Sequence, residues 1–147
     1  MGGAGLRGQS AGETSICTVG VTGSGLTYRG YDVVDLAENT TFEEVAYLLL
    51  HEKLPNSQEL KDYIEKLKSL RGLQPELRSA LEGIPKTAHP MDVLRTGCSV
   101  LGNLEQEEDF LNQTDHADRM LSAFPSILSY WYQFSHHGKR IDTETND

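Results

Sequence analysis

Hydrophobic residues recur at helical spacing over most of the chain. Residues 60–67 carry an apolar stripe with members at i, i+3, i+4 and i+7, the spacing expected along one side of a helix. The stripe consists of Leu60, Tyr63, Ile64 and Leu67. The charged residues between them, including Lys66, are expected to face solvent. Residues 42–50 are richer in apolar side chains and predict a buried helix that ends near His51, because Pro55 disfavours continuation. The fold class is therefore expected to be mainly α.

Proline and glycine mark the ends of two further helices. Pro75 suits the first position of a helix that Gly83 ends, and Gly72 is expected to stop the preceding helix from the C′ position. Pro90 opens the next helix. Gly97 inside it is expected to allow close approach of a neighbour, at a propensity cost of about 1 kcal/mol relative to Ala. The packed seam of this helix is predicted to be Met91, Leu94, Cys98 and Leu101.

Residues 117–136 predict the last helix. Pro125 is expected to kink it or to divide it into two segments, because proline lacks the N–H that an interior helical position needs. Asp115 is expected to cap its start. Residues 103–115 are expected to form an acidic, solvated surface loop.

Two polar pairs are expected to start helices. Thr41 followed three residues later by Glu44 fits a capping box, with the register one residue earlier as the alternative. Asn56 and Glu59 repeat the same spacing before the apolar stripe of residues 60–67. Both pairs predict helix boundaries from local sequence alone.

The N-terminal region is expected to contain a small β-hairpin. Residues 15–19 alternate polar and apolar side chains, and residues 26–29 suit a second strand. Between them, GVTGSG at 20–25 is rich in turn formers, but it lacks the GK[ST] and GxGxxG patterns of phosphate-binding loops. Residues 1–13 are expected to be a flexible, glycine-rich lead-in.

Arg29 lies between two tyrosines in the segment LTYRGYD, just before the first helix. Its guanidinium is expected to stack between aromatic rings and to pair with Asp32 or Asp35. This arrangement would make Arg29 a structural anchor. A functional contact at a ligand or subunit surface is the alternative.

Composition and charge restrict the classes of function. The 147 residues suffice for one packed domain, and 37% hydrophobic with 24% charged residues favours a core over disorder. A net charge of −9 without a basic cluster argues against nucleic acid and against an anionic membrane surface as partners. No run of about 18 apolar residues occurs, so a soluble, cytoplasmic protein is expected. Cys17 and Cys98 are far apart and are expected to be small buried residues, without a disulfide or a metal.

Five polar residues were considered as candidates for chemistry. His136 and His137 are adjacent, so they would point about 100° apart on a helix and are expected to act as C-terminal cations rather than metal ligands. Glu43 and Glu44 occupy a first helical turn, where carboxylates stabilise the helix dipole. His89 stands directly before a helix start. It could bind an anion there with the free N–H groups, or fix the loop into the helix, and the structural role is preferred.

Five segments together resemble the citrate synthase family. They are ICTVG (16–20), GLTYRGYDVVDLAENTTFEEVAYLLLHEKLP (25–55), LRGL (70–73), HPMDVLRTGCSVLG (89–102) and SILSYWYQFSHHGKRI (126–141). The likeness extends over nearly the whole chain from Gly12 onward and is greatest to the 2-methylcitrate synthase branch. The resemblance implies that residues 14–147 are the N-terminal part of the large α domain of such an enzyme, truncated before its next helix.

The family condenses acetyl-CoA or propionyl-CoA with oxaloacetate and forms homodimers. The acyl-CoA is a substrate, and the resemblance implies neither a metal nor a covalently bound cofactor. Two histidines and an aspartate carry the chemistry in HGGAN-like and HPVY-like segments and at a later Asp, and neither segment occurs in this sequence. The resemblance thus implies that this chain has no catalytic residue and is inactive alone. His89 is a different histidine, and the functional alternative for Arg29 becomes a contact near CoA or the dimer surface.

A second interpretation is a free-standing helical module that binds a partner through exposed apolar faces. Under the synthase interpretation, such faces would pack against other segments of a longer polypeptide. Apolar surface contributes about 25 cal/mol per Å² when it is buried. A few hundred Å² that stays exposed to solvent therefore offsets most of a typical free energy of unfolding of about 5–15 kcal/mol. The isolated chain is therefore expected to aggregate or to be molten.

Overall fold

The computed structural model describes residues 10, 12–20, 25–106 and 112–144. These residues form three short strands followed by six helices. The strands are β1 (Cys17–Val19), β2 (Leu26–Tyr28) and β3 (Tyr31–Asp32), and the helices are α1 (Val33–Asn39), α2 (Phe42–His51), α3 (Ser57–Ser69), α4 (Pro75–Glu82), α5 (Pro90–Leu104) and α6 (Gln113–His137). The predicted mainly α class with a small N-terminal sheet is confirmed. The predicted lead-in, residues 1–13, falls mostly outside the described residues.

The chain divides into two compact units, Met1–Leu60 and Lys61–Asp147. The first unit holds an antiparallel sheet in the order β1-β2-β3, together with α1 and α2. Cys17 pairs with Tyr28, and Tyr28 pairs with Tyr31. The predicted hairpin of β1 and β2 is therefore confirmed, and β3 is a strand that the sequence did not predict.

A two-residue turn joins β2 to β3. Its central residues, Arg29 and Gly30, have φ angles of 48° and 88°. Positive φ at both central positions is the requirement of a type I′ turn, which matches the twist of a tight hairpin. Gly30 adopts this backbone freely, whereas Arg29 carries a Cβ and adopts it against its preference. The RG pair of LTYRGYD is thus a hairpin turn.

The predicted capping pairs form as expected. The Thr41 N–H donates to Glu44 Oε2 at 2.7 Å, and the Glu44 N–H donates to Thr41 Oγ1 at 3.4 Å, so α2 begins with a capping box. At the start of α3, Asn56 Oδ1 accepts from the Glu59 N–H at 3.0 Å, and Glu59 Oε2 accepts from the Asn56 N–H at 2.9 Å. Helix α2 ends at His51, as predicted. These boundaries were predictable because each cap lies within four residues.

The core of the second unit is formed by α4, α5 and α6 with the segment before α4. Its buried members are Leu73, Leu77, Leu81, Val93, Leu101, Ala123, Ile127, Tyr130 and Trp131. A Cβ at Gly97 would lie 2.8 Å from Ile127 Cγ2. The predicted close approach at this glycine is confirmed, since only a residue without a side chain leaves room for Ile127.

The packed face of α5 differs from the predicted seam. Val93, Gly97 and Leu101 are buried, whereas Met91 is 64% exposed. The prediction placed Met91 inside because it is apolar. The face is instead centred on Gly97, where the neighbouring helix approaches most closely.

Helix α6 is one continuous element, so of the two alternatives expected at Pro125 the division into two segments is wrong, and the kink stays a prediction. It also begins at Gln113 rather than near residue 117. Pro125 is exposed, while its neighbours Ala123 and Ser126 are buried. The residues on either side pack into the second unit, and this packing keeps them helical despite the missing N–H of the proline.

Gly72 is not the C′ glycine predicted for α3. It lacks a left-handed backbone, and α3 already ends at Ser69. A Cβ at Gly72 would lie 2.9 Å from Glu144 Oε1. The glycine is needed for steric reasons, because residues near the end of the described chain pass over it.

Candidate functional site

Arg29 connects the turn of the sheet to α2 within the first unit. Its Nη2 donates to the Leu49 carbonyl oxygen at 2.9 Å, and its Nη1 lies 3.1 Å from Glu52 Oε1. Nη1 also donates to Ser15 Oγ. The side chain is only 12% exposed. These contacts fit the structural anchor that the sequence predicted.

The predicted carboxylate partner of Arg29 is wrong. Arg29 pairs with Glu52, not with Asp32 or Asp35. Asp32 is committed elsewhere, because its Oδ1 accepts from the Val34 N–H at 2.8 Å and so caps α1. The sequence could not show that α2 ends beside the turn, which is what brings Glu52 within reach.

His89 is the N-cap of α5. Its Nδ1 accepts a hydrogen bond from the Met91 N–H at 3.2 Å, and Pro90 occupies the first helical position. The ring nitrogen thus takes up a helix N–H that a bound anion would otherwise use. This geometry is the one expected for a residue that fixes the loop into the helix, and binding of a regulatory anion at His89 stays a prediction.

His136 and His137 lie in the last turn of α6, where cations stabilise the helix. The His136 ring stacks on Tyr132 with 4.4 Å between ring centroids. Gly138 ends the helix with a left-handed backbone, and its N–H donates to the Phe134 carbonyl oxygen at 2.8 Å. Among the residues that the structure describes, no group of three or more His, Cys, Asp or Glu is placed to hold a metal ion.

A buried carboxylate links α6 to α3. Asp118 is fully buried, and its Oδ1 accepts from the Tyr63 hydroxyl at 2.8 Å. Lys66 Nζ donates to Asp118 Oδ2 and to Asp115 Oδ1, each at 2.6 Å. Burial lowers the pKa of Lys66, but the hydrogen bonds with Asp115 and Asp118 outweigh it, and the pKa is raised above its usual value. The ammonium group therefore stays charged and neutralises the buried carboxylate.

This cluster corrects two predictions. Lys66 was expected to face solvent on α3, and Asp115 was expected to cap α6, but the two form an ion pair. The sequence signal that could have shown the cluster is a four-residue repeat in α6. Its members, all buried, are Asp118, Ser122, Ser126 and Tyr130. A search for apolar periodicity does not register such a polar face.

A second ion pair lies where α5 ends. Arg119 donates from Nε to Glu105 Oε2 at 3.0 Å and from Nη2 to Glu105 Oε1 at 2.9 Å. Gln74 Nε2 donates to the same Oε1 at 2.9 Å, and Arg119 Nη1 donates to the Leu70 carbonyl oxygen. The sequence predicted a solvated loop at residues 103–115, and for Glu105 this prediction is wrong. Residues 107–111 of that loop lie outside the described residues.

A pocket of 360 Å³ borders this ion pair between α5 and α6. Its lining combines the ion pair with a thiol, an imidazole and a thioether. The lining residues are Cys98, Leu101, Gly102, Glu105, Gln113, His116, Arg119 and Met120. Both charges of the pocket are already paired with each other, so the arrangement is suited to packing rather than to acid–base chemistry.

A third network joins α4, α6 and the residues after α6. Glu82 Oε1 accepts from the Tyr130 hydroxyl and from Arg140 Nε, both at 2.7 Å, and Arg140 Nη2 donates to Glu82 Oε2 at 2.9 Å. The hydrogen bonds from Arg140 and then from Tyr130 lower the pKa of Glu82 to about 2. Burial, followed by the bond to Glu82, raises the pKa of Tyr130.

A family model described as "Citrate synthase, C-terminal domain" matches residues 5–147. The chain belongs to the citrate synthase family. The match includes all five segments that carried the resemblance, among them the turn at Arg29 and the cap at His89.

Individual citrate synthase relatives match over most of the chain. The chain is 68% identical over 145 residues to 2-methylcitrate synthase of Shewanella oneidensis, which covers 99% of this chain and 39% of that protein. It is 42% identical over 137 residues to a citrate synthase-related protein of Dictyostelium discoideum, covering 92% of this chain and 32% of that protein. The crystal structure of citrate synthase from Thermotoga maritima aligns with a TM-score of 0.79 and 38% identity, over 96% of this chain and 37% of that one.

The chain therefore spans less than two fifths of the length of these citrate synthases. No helix in the described residues is both long and apolar enough to cross a bilayer. The three charged networks lie within the matched region. In each of them the charged side chains are held by partners of opposite sign, and together they connect the ends of α3–α6.

Proposed function

We propose that the chain is the N-terminal portion of a 2-methylcitrate synthase, an acyltransferase that condenses propionyl-CoA with oxaloacetate. Acetyl-CoA is the alternative acyl donor. The observation that carries the proposal is the 68% identity to a 2-methylcitrate synthase, against 38% to a citrate synthase of known structure. The TM-score of 0.79 to the latter supports a shared framework for both reactions.

The condensation needs groups that we assign to segments outside this sequence. A base must remove a proton from the α-carbon of the acyl thioester, and an acid must polarise the oxaloacetate carbonyl. The α-carbon then bonds to that carbonyl carbon, and hydrolysis of the thioester releases CoA. The proposal assigns these groups to HGGAN-like and HPVY-like segments and a later Asp of a full-length protein, and it assigns a framework role to residues 1–147.

The proposal includes a homodimer, with the contact on the exposed side of α5 and α6. The two helices run antiparallel, since one pocket joins Pro90 to Tyr132 and the other joins Gly102 to His116. Met91, Met120 and Tyr132 are each more than a third exposed on these helices. A second copy of the chain is the occupant that the family resemblance implies.

The test of the activity uses a full-length synthase whose first 147 residues are those of this chain, called the full-length protein below. CoA release is followed with propionyl-CoA and with acetyl-CoA, each with oxaloacetate. A higher kcat/KM for propionyl-CoA is expected. A higher value for acetyl-CoA would replace the proposal by citrate synthase, and no condensation of either would overturn it.

The test of the dimer uses Met120→Asp in the full-length protein. A charge in a buried contact should lower the molar mass in light scattering from that of a dimer to that of a monomer. Val34→Asp is the matched control, because Val34 is also exposed but lies on α1. An unchanged dimer with Met120→Asp would show that the contact is elsewhere.

A further inference from the structure

The N-cap of α5 is a histidine, a position that most helices give to Ser, Thr, Asp or Asn. Pro90 has no N–H, so the first helical donor is the Met91 N–H, which reaches His89 Nδ1 at 3.2 Å. The next two donors, from Asp92 and Val93, reach the His89 carbonyl oxygen at 2.9 and 3.1 Å. One residue thus accepts all three hydrogen bonds at this helix start, two through its backbone and one through its ring.

The ring can act as an acceptor only while it is neutral. Nδ1 carries a lone pair when the proton is on Nε2, and both nitrogens become donors when the imidazole is protonated. The Met91 N–H would then face another N–H. The positive ring would also lie at the positive end of the helix dipole. Protonation of His89 therefore removes one hydrogen bond and adds a repulsion at the same place.

We propose that His89 makes the first turn of α5 sensitive to pH, closed while the imidazole is neutral and frayed when it is protonated. Histidine as a residue type is the side chain used for switching between about pH 5 and 8, and this sets the range of pH for the test. His89 is exposed, and protons reach it without any opening of the core.

Other titratable groups lie on α5 itself and on the neighbouring helices α4 and α6. On α5 itself, Asp92 is ion-paired with Arg95 at 3.2 Å. On α4, Glu82 is held by Arg140. On α6, Tyr132 lines a 320 Å³ pocket with Pro90. His136 and His137 contact Tyr132, with 4.4 and 5.6 Å between ring centroids, and the His89→Asn variant separates their effect from that of His89.

Fraying of this turn would affect two surfaces. Pro90 would leave the pocket that it lines with Leu128 and Trp131. Val93, which is fully buried, follows in the same turn and would gain access to solvent. The edge of the α4–α6 core would thus become looser at acid pH without unfolding of α5 as a whole.

Hydrogen exchange of the peptide covering residues 89–95 tests the proposal in the full-length protein. Protection is measured at pH 8 and pH 5.5 and corrected for the intrinsic pH dependence of exchange. The His89→Asn variant supplies an amide oxygen that accepts at either pH, and His89→Ala supplies no side-chain acceptor. Loss of an N-cap hydrogen bond corresponds to about a fivefold increase in the equilibrium constant for local opening of the helix start.

The wild-type peptide is expected to lose about fivefold protection from pH 8 to pH 5.5, whereas His89→Asn keeps its protection. His89→Ala is expected to show low protection at both values. Equal protection of wild type at the two pH values would overturn the proposal. A pH effect in His89→Asn as large as in wild type would do the same. If His89→Ala fails to fold, the comparison of wild type with His89→Asn still decides.

Discussion

Lys66 Nζ lies 2.6 Å from Oδ2 of Asp118, whose side chain is fully buried. The lysine reaches from α3 and the aspartate from α6, 52 residues apart. The carboxylate would otherwise keep only the Tyr63 hydroxyl as a donor among these contacts. The pair therefore holds two helices together and makes a buried charge tolerable.

The first prediction concerns this pair. Lys66→Met in the full-length protein should destabilise the fold by about 2 kcal/mol, because it leaves the Asp118 carboxylate buried without a cation. The value is below that of a wholly buried pair, since the Lys66 side chain is 39% exposed. Denaturant unfolding measures it, with Lys61→Met as the control, because Lys61 is exposed on the same helix.

The double substitution Lys66→Met with Asp118→Leu sharpens that measurement. Removing both charges should recover much of the loss, since the cost arises from the unpaired carboxylate rather than from the missing salt bridge. A double variant less stable than Lys66→Met would contradict this account.

The second prediction concerns two glycines of one helix. Gly97→Ala should destabilise by about 1–3 kcal/mol, because the new Cβ would lie 2.8 Å from Ile127 Cγ2. Gly102→Ala is the matched control, with nothing within 4 Å of its Cβ. It should be neutral or stabilising by up to about 1 kcal/mol. The melting temperature of Gly97→Ala should therefore fall while that of Gly102→Ala stays the same or rises, and equal shifts would refute the packing argument.

The third prediction concerns Arg29. Arg29→Ala in the full-length protein should lower the melting temperature clearly and leave kcat of the remaining folded protein nearly unchanged. The reason is that Arg29 contacts Leu49 and Glu52 as an anchor. Lys53→Ala removes an ion pair at the surface, outside α5 and α6, and serves as the control, with little effect on either quantity. A large fall in kcat at an unchanged melting temperature would instead assign Arg29 to the substrate site.

The fourth prediction is a pH dependence. The pKa of Glu82 is lowered to about 2 in the folded protein, from the usual 4.5. A lowered carboxyl pKa contributes stability that is present above the unfolded value and is lost as pH falls through the folded value. The difference in melting temperature between wild type and Glu82→Gln should therefore be constant above about pH 5 and shrink between about pH 4.5 and 2.

A matched control exists on the same helix. Glu76→Gln changes a carboxylate in the first turn of α4 that is exposed. It should not reproduce the acid-dependent difference. A gap between wild type and Glu82→Gln that persists unchanged at pH 2 would contradict the role of Glu82.

The fifth prediction concerns the 147-residue chain by itself. It should aggregate or be molten and should release no CoA, because apolar side chains such as Met91 and Met120 stay wet without their neighbours. Dye binding, sedimentation and a CoA assay measure this. Cooperative unfolding of a dilute monomer would favour the free-standing module, and condensation by the chain alone would overturn the assignment of catalysis to other segments.

Local features of the fold were predictable and long-range partners were not. Thr41 and Glu44 are three residues apart, so the local sequence is enough to predict their capping box. The close approach at Gly97 follows from the residue type. Glu105 with Arg119 and Lys66 with Asp118 depend on how helices meet, which periodicity does not contain. The same limit placed Met91 in the packed face of α5 and gave Arg29 the wrong carboxylate.

The candidate site was less predictable than the fold. Family likeness indicated where the chemistry would be, but the charged networks of this chain use residues that the motif segments mostly leave out, such as Asp118 and Glu105. Polar residues on a buried helix face satisfy one another, and an apolar stripe search passes over them. A search for polar residues at four-residue spacing would have marked Asp118 as a candidate.

The close approach of Glu144 to Gly72 has a practical consequence for proteolysis. Ile141 packs against the core, Arg140 holds Glu82, and Thr143 is buried, so residues 139–144 act as a cover rather than as a loose end. A protease that cuts just after Gly138 would separate this cover from α6. Cleavage there should be followed by digestion of α4, because the contacts of Arg140 with Glu82 and of Glu144 with Gly72 would loosen.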